Sequence, residues 1–481
     1  MTDIDTYDLI VLGGGMSGLP VALKSAHQGL ETALVERDLL GGTCLNRGCI
    51  PTKTMIRSAE VAHLARRADE FGVAIDSEVG TDMEAVVERQ QRVVESIRDG
   101  AYSNVQNTDG LDLIEGHGIF ESPTELSVDD RTLTANRIVL NTGAHPIEPP
   151  IDGLDNVDTL DSTSALEVSE VPEHLAVIGG GYVGCEFAQM YARFGASVTI
   201  FQRGDRLLPA EDPDVSDVIE DAFEAEGIAV RTGTAIEELE PTSSGTLVIA
   251  SDDNTDGIGV SHVLVAAGRR ANTDGIGIEN AGVELDDQGF VEVDEQFQTT
   301  AESIYAVGDV SGPPMFTHSA RDDADLLYRH LVHKETIDAT DRVVPHAVFT
   351  DPQVGHVGLT EQEAADQGYE AAVGRSDYAE QGKPKALGET EGFVKLVSDA
   401  DTGELLGAQI VGEQGAEIVH ELVLAIELGA TAEDVANTIH IHPTLPEIIN
   451  SAAGGVREPS QPPVSCDNHL EPTTGDRRFH S

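Results

Sequence analysis

Long apolar runs, cysteine and basic residues are all scarce in this chain, and each scarcity excludes a class of protein. No apolar run reaches the roughly 18 residues that span a bilayer, so no transmembrane segment is expected. Four cysteines in 481 residues do not suggest a disulfide framework. The opening residues are acidic and polar, unlike a signal peptide. These features predict a soluble cytoplasmic protein of two to four domains.

Basic residues are far outnumbered by acidic ones. The chain has 29 Lys and Arg against 86 Asp and Glu, for a formal net charge of −57. Binding to nucleic acid or to anionic membranes is therefore disfavoured. Such a charge destabilises the compact state at low salt, whereas at 1 M salt the Debye length falls to about 3 Å and screens the repulsion. Because periodic apolar segments argue against acidic disorder, we expect a halophilic protein.

The chain opens with a βαβ unit that carries a glycine-rich turn. A strand is predicted over residues 7–12, and G-x-G-x-x-G follows at Gly13, Gly15 and Gly18. In this pattern Gly13 permits the turn, Gly15 lets a pyrophosphate approach the backbone, and Gly18 allows close helix packing. Glu36 ends the next strand and can accept hydrogen bonds from a ribose diol. The unit predicts a site for FAD or NAD(H).

A second copy of this unit follows, with the glycines at Gly179, Gly181 and Gly184. In both copies the first glycine precedes the end of the next strand by 23 residues. Gln202 replaces the carboxylate there, and Arg203 follows it. Losing the carboxylate removes repulsion toward a 2′-phosphate, and arginine supplies a bidentate partner. The second copy therefore predicts an NADPH site; the alternative is that Arg203, like Arg206, is merely solvated.

Two cysteines, Cys44 and Cys49, lie five residues apart in a segment that enters a helix. This spacing allows a disulfide across a turn, and a helix N-terminus stabilises the reactive thiolate. One alternative is a pair of buried inert cysteines. Another is half of a zinc site, but the chain has no second pair at matching spacing, so no metal is predicted. The pattern favours a redox-active pair.

Near the C-terminus, a histidine and an acid offer the proton transfer that a thiol cycle needs. His442 suits a base at neutral pH, and Glu447 can hold its ring through the other nitrogen. We expect His440 to be structural and Cys185 to be a core cysteine.

Together these segments resemble the class I pyridine nucleotide–disulfide oxidoreductases, a family that includes glutathione reductase, dihydrolipoamide dehydrogenase and mercuric reductase. The resemblance covers about residues 7–455. Its motifs are G-G-T-C-x-N-x-G-C-x-P-x-K at 41–53, N-T-G at 141–143, A-G-R-R at 267–270, A-V-G-D at 306–309 and H-P-T-x-x-E at 442–447.

The resemblance implies an α/β fold with two Rossmann-like nucleotide-binding domains and a C-terminal α+β dimerisation domain. The predicted boundaries are 1–150 for the first part of the FAD domain, 151–272 for the NADPH domain, 273–342 for the second, central part of the FAD domain, 343–455 for the interface domain and 456–481 for a disordered tail. It also implies a homodimer in which His442 and Glu447 of one subunit complete the active site of the other.

The resemblance further implies a role for individual residues. Cys44 would attack the substrate, and Cys49 would lie against the flavin. Lys53 and Glu186 match a pair beside the flavin, and Tyr182 matches the ring that covers the flavin until nicotinamide displaces it. The remaining cofactor residues are Gly42, Thr43, Thr142, Gly143 and Asp309 for FAD, the last at the ribityl chain, and Gly268 for NADPH.

The substrate is less directly indicated. Residues 313–323 look like the mercuric-reductase branch, but the adjacent C-terminal cysteines of that enzyme are replaced by Cys466 and Asp467, and two thiolates bind Hg(II) far better than one. Dihydrolipoamide dehydrogenases generally carry an acid at the position of Gln202, which counts against that activity here. A low-molecular-weight disulfide is favoured, and the acidic composition points to bis-γ-glutamylcystine of haloarchaea. Dihydrolipoamide dehydrogenase is the alternative, and mercuric reductase a further one. A nucleotide-binding flavoprotein sensor is the non-enzyme alternative, although no catalytic residue is missing.

Overall fold

The computed structural model describes residues 4–251, 257–340 and 342–456. Cys466 and all of the predicted tail except Val456 lie outside the described residues. Within those ranges, no helix combines the length and the apolar character needed to cross a membrane.

In the first nucleotide-binding unit, the first two strands contain runs of buried apolar residues, so both faces of these strands are covered. Its elements are β1 (Ile4–Leu12), α1 (Gly18–His27), β2 (Thr32–Glu36), α2 (Gly42–Asn46), α3 (Cys49–Arg66), α4 (Met83–Gln106), β3 (Leu111–Glu115), β4 (Gly118–Ser122), β5 (Glu125–Val128), β6 (Arg131–Leu140) and β7 (Ala144–Pro146). The strand order is β3-β2-β1-β6-β5-β4.

An antiparallel layer is a natural interpretation of the alternating pattern over residues 111–140, and this is only partly right. Strands β4, β5 and β6 pair in antiparallel fashion, whereas β3 pairs in parallel with β2. The helical crossover through α2, α3 and α4 returns the chain to the same end of the sheet, so that β3 runs in the direction of β2.

The second nucleotide-binding unit repeats the architecture of the first. Its elements are β8 (Thr159–Leu160), β9 (His174–Ile178), α5 (Tyr182–Phe194), β10 (Ser197–Phe201), α6 (Pro213–Ala225), β11 (Ala229–Arg231), β12 (Ile236–Thr242), β13 (Gly245–Ala250), β14 (Ile258–Val260) and β15 (His262–Val265). The order β11-β10-β9-β15-β8 is parallel throughout, and β12, β13 and β14 form a separate antiparallel sheet.

The two glycine turns impose the same close contact between helix and strand. A Cβ placed on Gly18 would lie 2.0 Å from the carbonyl oxygen of Gly13, and one on Gly184 would lie 2.0 Å from that of Gly179. No side chain fits at either position. The prediction of two Rossmann-like units is confirmed.

After the second unit the chain returns to the first sheet. The elements are β16 (Arg269–Ala271), α7 (Ile278–Ala281), β17 (Ile304–Ala306) and α8 (Thr317–His333). Strand β16 pairs with β7, and β17 pairs in parallel with β6. The predicted domain boundaries at 150, 272 and 342 stay predictions.

The C-terminal part is an antiparallel sheet, ordered β18-β19-β22-β21-β20, with short helices packed against it. Its elements are β18 (His346–Val348), β19 (Gln353–Gly358), α9 (Glu361–Asp366), β20 (Ala371–Asp377), α10 (Gly382–Leu387), β21 (Phe393–Asp399), β22 (Leu405–Gly412), α11 (Gly415–Ile418), α12 (His420–Glu427), α13 (Ala432–Ala436) and α14 (Glu447–Gly454). Short 3₁₀ helices lie at Ala68–Phe71, Leu154–Asn156, Ser164–Leu166, Gly308–Ser311 and Tyr378–Glu380.

Candidate active site

One cleft of about 1940 Å³ brings most of the predicted site residues together. Those that line it are Gly13, Gly15, Glu36, Gly42, Thr43, Cys44, Cys49, Lys53, Thr142, Gly143, Tyr182, Glu186 and Asp309. Gly18 packs beneath the first turn, and the remaining predicted nucleotide residues, Gly179, Gly181, Gly184, Arg203 and Gly268, do not line the cleft. The cleft therefore corresponds to the predicted flavin site, with Tyr182 reaching it from the second unit.

The first glycine turn is held to the end of β2 by Glu36. Its Oε2 accepts a hydrogen bond from the backbone N–H of Gly14 at 2.7 Å, and its Oε1 accepts one from the backbone N–H of Asp38 at 2.8 Å. A carboxylate has about four acceptor positions, so a ribose diol can still be bound. Among the described residues, no group hydrogen-bonds the buried Oγ1 of Thr142, which lines the same cleft. An unpaired buried hydroxyl beside a glycine turn fits a polar cofactor such as FAD.

The second turn has a weaker copy of the same contact. The N–H of Gly180 donates to Oε1 of Gln202 at 3.2 Å, as Gly14 does to Glu36. Arg203 is exposed beside this turn, whereas Arg206 pairs with Asp205 at 3.2 Å. The turn therefore presents a neutral amide and a solvent-facing guanidinium.

The two cysteines lie on consecutive helices: Cys44 is inside α2, and Cys49 is the first residue of α3. Both are free thiols, and their side chains share a hydrogen bond. That bond lowers the pKa of Cys49 to about 6 against the opposing effect of burial, and Thr317 and Lys53 lower it further. The same bond, together with burial, raises the pKa of Cys44. In the dithiol, Cys49 therefore carries the negative charge and Cys44 donates to it.

Lysine and glutamate form an ion pair beside the cysteines. Lys53 Nζ lies 2.7 Å from Oε2 and 3.0 Å from Oε1 of Glu186, and it also lies 4.6 Å from the ring centre of Phe349. The backbone N–H of Phe349 donates to Glu186 at 3.0 Å. Lys53 comes from α3 and Glu186 from α5, so the pair fixes the first unit against the second at the cysteines.

The predicted histidine and acid lie away from the cleft, at the start of α14. His442 Nδ1 lies 2.9 Å from Glu447 Oε1, and Oε2 of the same carboxylate accepts a bond from the N–H of Thr444 at 2.9 Å. The Thr444 bond, with a smaller contribution from His442, lowers the pKa of Glu447. The His442 side chain is 79% exposed, so its Nε2 is available to another molecule. His440 instead contacts Glu421 at 2.8 Å with its side chain mostly buried, in agreement with a structural role.

Sequence reasoning missed Thr317, although residues 313–323 were singled out. Its Oγ1 lies 3.3 Å from Sγ of Cys49, and it begins α8.

Cys185 is fully buried, and burial raises the pKa of its thiol, so it is the expected inert core cysteine.

Comparison with known proteins shows the family. Residues 7–324 match the family model described as pyridine nucleotide-disulphide oxidoreductase, and residues 344–453 match the dimerisation domain of that family. The chain belongs to the pyridine nucleotide-disulphide oxidoreductases. It is therefore an enzyme of a flavoprotein family that uses FAD and a pyridine nucleotide, and its C-terminal part is a dimerisation domain.

Curated and structural relatives of this oxidoreductase cover nearly all of it. "Dihydrolipoyl dehydrogenase 2" of Haloarcula marismortui is 38% identical over 459 residues, 94% of this chain and 96% of the relative. A mercuric reductase of Staphylococcus aureus is 36% identical and covers 93% of this chain and 82% of its own. The Cu(II) complex of the HOCl-induced flavoprotein disulfide reductase RclA from Escherichia coli superposes with a TM-score of 0.86 at 29% identity, over 94% of this chain and 99% of that one.

Proposed function

We propose that this enzyme passes electrons from NADPH, through FAD and the Cys44–Cys49 pair, to a low-molecular-weight disulfide. The observation that carries the proposal is the single cleft in which the cysteine pair, the Lys53–Glu186 ion pair and the first glycine turn meet. A nucleotide-binding sensor would not need a thiolate poised at about pH 6 beside that turn.

FAD would be held by the first glycine turn, with Glu36 at its ribose, Thr142 at a polar edge and Asp309 at the ribityl chain. When bound, FAD supplies the two-electron chemistry that links a nicotinamide to a dithiol. Burial raises the pKa of Asp309, and Arg269 opposes that effect.

The thiols perform the exchange with the substrate. The Cys44 thiolate attacks one sulfur of the substrate disulfide, which forms a mixed disulfide and releases one thiol with a proton. The Cys49 thiolate then attacks Cys44 Sγ, which releases the second thiol and forms the Cys44–Cys49 disulfide. Two electrons and two protons restore the dithiol: NADPH supplies both electrons and one proton as a hydride, and the second proton comes from water.

Cys44 needs a base from outside its own cleft, because its neighbours raise its pKa. We propose that His442 of a second copy of the chain takes this proton and returns it to the leaving thiol, with Glu447 holding the imidazole. Two apolar neighbours of His442 support burial in a dimer, since Ile439 is 96% and Ile441 78% exposed.

We assign the second turn to NADPH rather than NADH because Gln202 leaves it uncharged and Arg203 is free to face a 2′-phosphate. The combined change Gln202→Glu and Arg203→Ala should lower the ratio of kcat/KM for NADPH over NADH by roughly 10–100-fold. Arg206→Ala is the control, because Asp205 already pairs with that side chain. An unchanged ratio would remove the assignment.

The best candidate for the disulfide is bis-γ-glutamylcystine, in a cytoplasm with concentrated salt. The acidic composition supports it, and a relative from Haloarcula marismortui supports the salt-rich setting but not this substrate. That relative is named for dihydrolipoyl chemistry, which makes lipoamide the second candidate, and Hg(II) is the third because of the relative in Staphylococcus aureus.

A substrate panel tests the proposal. Steady-state assays in molar KCl should cross NADPH and NADH with bis-γ-glutamylcystine, glutathione disulfide, lipoamide and Hg(II). The highest kcat/KM is expected for NADPH with bis-γ-glutamylcystine. A preference for NADH with lipoamide would contradict both finer assignments while leaving the reaction class in place.

A further inference from the structure

Behind Tyr182 lies the buried carboxylate of Glu211, whose oxygens make short contacts with the tyrosine and with two histidines. Glu211 has a fully buried side chain, and its Oε1 accepts a bond from the Tyr182 hydroxyl at 2.7 Å. The same oxygen lies 2.7 Å from Nε2 of His346, and Oε2 lies 2.7 Å from Nδ1 of His356. Tyr182 and His346 line the cleft, whereas Glu211 and His356 lie behind them.

His356 donates from both ring nitrogens. Its Nδ1 faces Glu211, and its Nε2 lies 3.0 Å from the carbonyl oxygen of Gly358, which can only accept. Burial alone would lower the pKa of His356, but the hydrogen bond and the charge of Glu211 outweigh burial and raise it. Burial would likewise raise the pKa of Glu211, and the two histidines reverse this and lower it. The cluster is therefore a buried ion pair with satisfied donors.

Glu211, His346 and His356 are also residue types that bind metal ions, and their possible ligand atoms all lie within 4.8 Å of one another. The geometry favours hydrogen bonds instead. Each imidazole takes a different carboxylate oxygen, and both N···O separations are 2.7 Å, the length of a charge-assisted hydrogen bond. Zinc, with bonds of about 2.0–2.1 Å to nitrogen and oxygen, would hold such atoms about 3 Å or more apart.

The cluster also fixes the ring of Tyr182. The ring stacks on His346 at a centroid distance of 5.4 Å and on Phe316 at 6.3 Å. Its hydroxyl donates to the buried carboxylate of Glu211 at 2.7 Å and also lies 3.0 Å from Nε2 of His346. A hydrogen bond to an ionised group is stronger than one between neutral groups. The orientation of the ring therefore depends in part on Glu211 and His356, which do not line the cleft.

We propose that Glu211, His346 and His356 form an anchor that holds Tyr182 in the cleft, and that this anchor sets how readily a nicotinamide displaces the ring. The inference rests on the proposed function and on the role that the family resemblance implies for Tyr182, as the ring that covers the flavin until nicotinamide displaces it. Glu211 and His356 are positioning residues, because they act through Tyr182. Since a ring must leave before the nicotinamide enters, the apparent Kd for the nucleotide includes the cost of releasing it.

Stopped-flow reduction of the bound flavin by NADPH tests the anchor in the full-length holoenzyme. Tyr182→Phe removes only the hydroxyl, and Glu211→Gln removes only the charge. Each should lower the apparent Kd for NADPH by roughly 3–10-fold, and by more than it changes the limiting rate of reduction. The double variant should match Tyr182→Phe, because without the hydroxyl Glu211 has no contact through which to hold the ring.

His174→Gln is the matched control. His174 is a half-buried histidine of the same domain, bonded to Thr199 Oγ1 at 2.9 Å, and it is remote from the cleft residues. Its Kd for NADPH should stay within twofold of the wild type, roughly the scatter of such measurements.

Unchanged Kd values in Tyr182→Phe, with flavin content and melting temperature preserved, would overturn the anchor even if Glu211→Gln failed to fold. Additive effects in the double variant would also overturn it. One equivalent of Zn²⁺ that survives dialysis of the wild type and is lost in His356→Gln would replace the anchor with a metal site. A wild-type flavin that neither NADPH nor NADH reduces would instead remove the proposed function, and this inference with it.

Discussion

At Cys49, hydrogen bonds from two side chains and the charge of a third favour the thiolate over the thiol. Cys44 has the largest effect, and Thr317 and Lys53 add to it, so the pKa of Cys49 is about 6. A thiolate with a lowered pKa is protonated as the pH falls through that value. In the reduced enzyme we therefore expect ultraviolet thiolate absorbance to be lost around pH 6, not around the ordinary value for cysteine.

Cys44→Ala removes the largest of these contributions. It should raise the pKa of Cys49 by roughly one unit or more, as measured by the same titration. Cys185→Ser is the control, because burial raises the pKa of that thiol and it does not titrate near pH 6, so the transition should stay near pH 6. A transition that does not move in Cys44→Ala would show that Thr317 and Lys53, not Cys44, keep the pKa of Cys49 low.

Individual residues were predictable where chemistry is encoded locally. The cysteine pair and the carboxylate at the end of β2 follow from spacing and from the strand and helix around them. The Lys53–Glu186 pair and the Tyr182 position needed the family resemblance, since the partners are far apart in the chain. The contact of Glu211 with His356 spans 145 residues and has no motif, so only the fold could reveal it.

Within the helices, two glycines differ in what surrounds them. A Cβ on Gly18 would meet the Gly13 carbonyl oxygen at 2.0 Å, whereas one on Gly100, inside α4, would meet nothing within 4 Å. Gly18→Ala should therefore destabilise the protein by about 1–3 kcal/mol and weaken FAD binding. Gly100→Ala should stabilise it by about 1 kcal/mol, because alanine favours a helix.

Urea unfolding of both variants, with flavin content measured in parallel, checks this pair. Equal stability of Gly18→Ala and the wild type would mean that α1 can move away from the turn.

The strands themselves were largely predictable from their apolar runs, as β1, β2, β9 and β10 show. The parallel pairing of β3 was not, because it depends on the route of the crossover and not on the strand sequence.

For the whole molecule, charge and assembly are the two features that set behaviour in solution. With a net charge of −57, self-repulsion should make the unfolding midpoint rise as KCl is increased from 0.1 M to 2 M, where the Debye length falls from about 10 Å to less than 3 Å. Thermal melts at a series of KCl concentrations measure this. A variant with Glu95→Gln and Asp99→Asn, both exposed on α4, should need less KCl for the same midpoint. A midpoint independent of KCl would contradict the halophilic interpretation.

If His442 of one subunit completes the site of the other, as we propose, complementation between variants is expected. Cys44→Ser and His442→Ala should each abolish most turnover alone. Reassorted dimers of the two variants contain one intact site, so a mixture should recover about a quarter of the wild-type activity if subunits exchange at random. Unmixed variants carried through the same exchange are the control. No recovery, despite mixed dimers on native electrophoresis, would place His442 outside the site.

The most direct test of the central claim is an anaerobic reduction of the oxidised holoenzyme by NADPH, followed by alkylation and peptide mapping. We expect NADPH to reduce a Cys44–Cys49 disulfide to two thiols that are then alkylated, and Cys49→Ser to allow reduction of the flavin but to abolish disulfide turnover. A flavin that NADPH reduces while Cys44 and Cys49 keep their oxidation state, or a Cys49→Ser enzyme that still turns over a disulfide, would contradict it.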